Sequence, residues 1–198
     1  MAIQRITIDG YGQLELNQVA FRRDGRVEAQ CKLNETDFTK AAPAENGMIL
    51  AIDQVKREVK LPTASDGDGI IYALNYTSEH MYDDRANALK DFALVPGTFL
   101  PRLGYLAVGD KFTTNTVSAA IGAGASDEWA TEAKVIEDLE KIGTAGGAPI
   151  YGILSADGSI TITKSSTTFG NSNLLLNAVK YTTMPDGTPG IKFQVAAE

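Results

Sequence analysis

The chain holds one histidine and one cysteine, so imidazole or thiol chemistry has one address each, His80 and Cys31. His80 lies in Ser78-Glu79-His80-Met81-Tyr82-Asp83-Asp84. Carboxylates beside an imidazole orient it and raise its basicity. No Gly-x-Ser-x-Gly elbow supplies a nucleophile, so the segment reads as a mixed-charge surface loop before a short helix. Cys31 sits in apolar/polar alternation and reads as a small buried hydrophobe. A lone cysteine excludes an internal disulfide and a multi-cysteine zinc site.

Oxygen chemistry has three further addresses. Asp66-Gly67-Asp68-Gly69 offers hard ligands, but Ile70 and Ile71 follow at once and no distal bidentate Glu completes a calcium loop. A hairpin loop is the better reading. Asp127, Glu128, Glu132, Glu137, Asp138 and Glu140 make one helix face acidic, and paired carboxylates across a cleft hydrolyse glycosides. On the polar side of an amphipathic helix such groups are usually solvated. Gly143-Thr144-Ala145-Gly146-Gly147 follows a helix and lacks a lysine, so it ends that helix and does not cradle a phosphate. We expect no catalytic residue, no cofactor and no metal.

The elements that would carry these groups are mainly strands. Six Asp-Gly pairs, at 9–10, 24–25, 66–67, 68–69, 157–158 and 186–187, supply the positive φ of tight turns. Period-2 alternation flanks most of them: 6–8 and 14–16, 19–23 and 27–33, 150–154 and 160–162, 174–182 and 191–195. Further runs lie at 48–53, 55–61, 70–76, 103–108 and 111–117. Lys56-Arg57-Glu58 breaks the alternation in the second of these, which suggests an edge or a bulge. The pattern predicts a mainly β fold of antiparallel sheets, sandwich- or barrel-like. One amphipathic helix is expected near 127–142, capped by Ser126 and with Trp129, Ala133, Ile136 and Leu139 on its apolar stripe. A short helix is expected near 84–92. The small-residue run 118–126 suggests two parts: a β-rich domain over 1–117, and a helix with hairpins over 118–198 packed on it, or a single domain.

The chain has 198 residues, 43% of them apolar, with 18 Lys plus Arg against 25 Asp plus Glu. That is enough chain for a sizeable core without a staple. The net charge of −7 and the scattered basic residues argue against nucleic-acid binding. The densest basic group, Arg22, Arg23 and Arg26, is broken by Asp24. No 18-residue apolar stretch and no signal-peptide pattern occur, so we expect synthesis in a cytoplasm and no membrane insertion. Around Pro96, Pro101 and Gly104 lie Phe92, Phe99, Leu100, Tyr105 and Leu106. An apolar, proline-punctuated connection either covers a core or forms a contact surface. Phe99, Leu100, Tyr105 and Leu106 are the expected contact residues.

Two stretches resemble small structural proteins of tailed bacteriophages, the capsid decoration or cement proteins. The first is Glu45-Asn46-Gly47-Met48-Ile49-Leu50-Ala51-Ile52-Asp53, followed by Val55 to Val59. The second is Met81-Tyr82-Asp83-Asp84, then Leu89-Lys90-Asp91-Phe92, Pro101-Arg102-Leu103 and Val108-Gly109-Asp110-Lys111-Phe112-Thr113-Thr114-Asn115. The likeness covers roughly residues 40–117 and contains no catalytic motif. It implies a non-enzymatic virion protein that binds the outside of the mature shell and stabilises it. The implied partner is the major capsid protein, and the implied assembly is a homo-oligomer, a trimer above all, on the capsid exterior. Multivalent seating turns modest contacts into avidity. Two other readings stay open: a tail-tube or head–tail connector subunit, whose acidic lumen would repel DNA, and a carbohydrate-binding or adhesin-like module using Tyr11, Tyr151 or Trp129.

Overall fold

The computed structural model describes residues 4–5 (by backbone pairing), 11–67, 69–77, 92, 94–122, 128–185 and 187–198. Expectations placed on His80, Asp68, Ser126, Asp127, the strand at 6–8 and the helix near 84–92 fall outside them, except for Phe92 at the end of that last segment.

Fourteen strands and two helices follow one another among the described residues. They are β1 (Gln4–Arg5), β2 (Leu14–Gln18), α1 (Ala20–Asp24), β3 (Val27–Glu28), β4 (Lys32–Leu33), β5 (Ile49–Asp53), β6 (Glu58–Lys60) and β7 (Ile70–Asn75). There follow β8 (Leu103–Gly104), β9 (Lys111–Thr114), β10 (Val117–Ala119), α2 (Glu132–Glu140), β11 (Tyr151–Leu154), β12 (Ile160–Thr163), β13 (Leu175–Thr183) and β14 (Pro189–Ala197). The fold is mainly β, as the alternation predicts.

The strands form two sheets, ordered β1-β10-β12-β11-β13-β14-β9-β2 and β3-β8-β7-β5-β6-β4. Pairing is antiparallel except for β10 with β12 and β4 with β6, which are parallel. The smaller sheet is built wholly from residues 27–104, between β2 and β9 of the larger one. The larger sheet therefore joins both ends of the chain. Its strand β10 runs across the expected boundary at 117–118, and β14 pairs with β9 from Ile191–Thr114 to Gln194–Lys111. Hydrogen-bonded strands thus connect the two expected parts into one sheet.

One hydrophobic cluster lies between the sheets. Phe112, Val117, Ile160, Ile162, Leu176 and Phe193 of the larger sheet meet Ile49 and Leu74 of the smaller, with Phe21, Leu106 and Trp129. Ile49 and Leu74 are cross-strand partners, so they share a face. The opposite face of the smaller sheet carries Leu50, Ile52, Ala73 and Leu103, covered by Phe38, Ala44 and Leu94 in a second cluster. This explains the unbroken apolar run Ile49-Leu50-Ala51-Ile52, because a strand buried on both faces does not alternate.

Four local expectations are corrected. The run 19–23, read as strand, instead leads into α1 (Ala20–Asp24). A five-residue helix is below the length that nucleates alone. It is held by Asp110, whose Oδ1 accepts from the Ala20 N–H at 2.7 Å, and it ends at Gly25 in the left-handed region, φ 70°. The break at Lys56-Arg57 is neither an edge nor a bulge but the turn between β5 and β6, and Val55 in it is 95% exposed. Of the runs 103–108 and 111–117, only Leu103–Gly104 and Lys111–Thr114 are ladder, with Val117 opening β10. The main helix is shorter than 127–142. Thr131 caps it, its Oγ1 accepting weakly from Lys134 N–H at 3.4 Å. Its buried residues are Val135 and Leu139, whereas Ala133 is exposed and Trp129 precedes the helix.

Candidate functional site

Residues 95–102 form a turn that presents apolar side chains on a fixed base. Val95-Pro96-Gly97-Thr98 has proline at the second position and Gly97 at φ 81°, the signature of a type II turn. The Val95 carbonyl accepts from the Thr98 N–H at 3.2 Å and from its hydroxyl at 2.6 Å. On the far side, Arg102 N–H donates to Thr77 Oγ1 at 2.9 Å, and that hydroxyl donates to buried Asn75 Oδ1 at 2.6 Å. Tyr76 N–H closes on the Arg102 carbonyl at 2.9 Å.

Between these clamps Phe99 and Leu100 are 50% and 51% exposed. Phe99 stacks on Phe92, ring centres 6.4 Å apart. The other large exposed apolar residues among those described, Val55, Val108 and Val179, are isolated in the sequence. Phe99-Leu100 is the adjacent pair.

The other two expected contact residues are not on this surface. Leu106 is 6% exposed and belongs to the core between the sheets, and Tyr105 packs on the second cluster. The reason is β8, which pairs with β7 and β3 and draws the chain inward after Pro101. Both residues line a hollow of about 310 Å³ with Tyr72, Asn171 and Glu198.

Among the described residues, Cys31 and Asp66 serve the fold. Cys31 is buried, and burial, with Glu28 beside it, pushes its thiol pKa up, which disfavours the reactive thiolate. Asp66 is buried and holds a knot: it accepts from Lys60 Nζ at 2.5 Å, from Thr63 N–H at 2.9 Å and Oγ1 at 2.7 Å, and from Tyr72 Oη at 3.3 Å. Burial works against its charge, but Lys60 and Thr63 outweigh it and hold the carboxyl below its ordinary range. Burial first, then Asp66, pushes the Tyr72 phenol up to about 12. No group of three metal-ligating side chains occurs among the described residues.

Two carboxylates of the acidic helix face are tied to lysines. Glu137 pairs with Lys134 and Lys141, and Asp138 with Lys164 at 2.9 Å. Asp138 also accepts from Trp129 Nε1 at 3.0 Å, while Lys164 Nζ lies 5.0 Å from the centre of that ring. Trp129 is 1% exposed, so it offers no platform to a sugar.

Glu45 and Asn46, from the first stretch singled out by resemblance, bond to residues of both sheets' surroundings. Thr116 Oγ1 donates to the Asn46 carbonyl at 2.7 Å, Asn75 Nδ2 to the Glu45 carbonyl at 2.9 Å, and Asn46 Nδ2 to the Thr77 carbonyl at 2.9 Å. Sequence reading passed over Asn75, Thr77 and Thr116. Their signal was polar residues within strand-like runs, where a buried polar group must find a partner. Among the described residues no helix is long and apolar enough to cross a membrane. Compared with family models, curated proteins and solved structures, the chain matches none.

Proposed function

We propose that the chain is a non-enzymatic structural protein of a tailed-phage virion, one that binds the outer surface of the capsid and stabilises the shell. The observation that carries the reading is the Phe99-Leu100 pair, half exposed on a turn pinned at both ends. A pre-ordered apolar anchor loses little conformational entropy on docking. The acidic, β-rich body supports it, since an outward face of that kind stays soluble. Residues 40–117 add the resemblance to decoration proteins. The partner is the major capsid protein, and assembly in small closed clusters, trimers first, multiplies a modest contact.

The test is co-sedimentation with mature shells that lack the protein. Saturable binding in a fixed ratio to the capsid subunit is expected. The double variant F99S/L100S should cut occupancy at least about tenfold, because central apolar anchors carry much of an interface's energy, and should leave the melting temperature nearly unchanged. Absence of wild-type binding at micromolar concentration removes the reading. Rings or filaments of the purified chain would point instead to a tail-tube subunit.

A further inference from the structure

Next to the Phe99-Leu100 turn lies a pocket of about 320 Å³, lined by Leu16, Arg22, Val27, Tyr76 and Arg102. Its positions are set from both sheets' surroundings. Arg22 stands in the short helix α1, whose start is fixed by Asp110. Phe21 of the same helix packs on the Tyr76 ring with centres 5.0 Å apart. Arg102 is fixed through its backbone, which bonds Thr77 on one side and Tyr76 on the other. The fields of Arg102 and Arg22 both reach the Tyr76 hydroxyl, where they oppose the upward push of burial on its pKa.

The two guanidiniums have no carboxylate within ion-pairing distance among the described residues, which is also true of Arg26, Arg57, Lys40, Lys111, Lys180 and Lys192; what sets Arg22 and Arg102 apart is that both line one hollow. In a chain of net charge −7, two unpaired cations converging on one hollow are a local reversal of sign.

We propose that this pocket is a carboxylate-binding site that takes an acidic side chain from a surface segment of a partner protein. Guanidinium forks match a carboxylate in plane and in spacing. Tyr76 adds a hydroxyl donor, and Leu16 and Val27 give apolar walls for the methylenes of a glutamate. A nucleic-acid backbone fits worse, because the surrounding acidic body repels a polymer of phosphates. Arg102 is two residues from Leu100, so one partner segment reaches both the apolar pair and the cationic hollow.

The inference deepens the capsid-binding reading by naming the chemistry of the contact, yet its test needs no capsid. The full chain is titrated, with amide and guanidinium resonances followed by NMR, against an end-capped hexaglutamate peptide, the hexaglutamine peptide and inorganic phosphate. Saturable shifts centred on Arg22, Tyr76 and Arg102 are expected with hexaglutamate only. R22Q/R102Q should raise the apparent Kd by about tenfold or more, the value of a hydrogen-bonded charge pair. R102K tests the planar fork and should bind more weakly than wild type although its charge is kept. Equal shifts from hexaglutamine, tighter binding of phosphate, or no saturable shift with any probe would overturn the proposal. A chain that binds hexaglutamate but no shell leaves the pocket standing and removes the capsid reading.

Discussion

Trp129 shows how one side chain can be both core and clasp. It is buried in the main hydrophobic cluster, and its Nε1–H reaches Asp138 of α2, which also pairs with Lys164. Trp129→Ala should cost about 3–5 kcal/mol, as truncation of a buried aromatic, read from urea unfolding. An unchanged midpoint would contradict the burial. Asp66 gives a pH signature. Its carboxyl is held below the ordinary range, so its contribution to stability is present above the unfolded pKa near about 4. That contribution disappears as pH falls through the lower folded value. Asp66→Asn should destabilise by about 1–3 kcal/mol at pH 7. It should also flatten the loss of stability as pH falls below about 4, relative to wild type. Parallel curves for the two proteins would rule out the linkage.

At the scale of elements, α1 is a one-turn helix made by its surroundings. Asp110 fixes its start, and Phe21 seats it against Gly104 of β8. A Cβ on Gly104 would meet the Phe21 ring at 2.5–2.6 Å. Gly104→Ala should therefore cost about 1–3 kcal/mol, the usual range for an overfilled site. It should also shift the NMR resonances of Phe21 and Tyr76, which lie in ring contact. Wild-type stability in the variant would mean that the ring has room to move. Local pattern could not reveal this helix, because Val19 to Arg23 alternates as a strand does and the deciding partner is 90 residues distant in sequence.

For the whole molecule, the decisive feature is a sheet that uses both ends of the chain. β2 and β9 continue into β14, β13, β11 and β12 without a break in pairing. Ile49 N–H of the smaller sheet donates to the Gly158 carbonyl in the β11–β12 turn at 2.8 Å. One shared core predicts one cooperative unfolding transition, with calorimetric and van't Hoff enthalpies equal. It also predicts that fragment 1–117 alone lacks native near-ultraviolet circular dichroism. Two separated transitions, or a folded fragment, would support a division near 118–126.

The sequence by itself determined what depends on neighbours along the chain. Its alternation and Asp-Gly turns specify a mainly β protein, since strand faces repeat every two residues. The hairpins at 157–158 and around Gly187, and a helix ending before Gly143, were legible for the same local reason. Of the contact surface, Phe99 and Leu100 were legible from their proline-punctuated setting. Tyr105 and Leu106 were not separable from them, because composition does not say which apolar residues a pairing strand draws inward. Only the tertiary structure decided the two-sheet partition, the parallel β10–β12 and β4–β6 pairs, the short helix α1, and the meeting of Arg22 with Arg102. Each rests on contacts between distant segments, where burial and hydrogen-bond satisfaction outweigh local propensity.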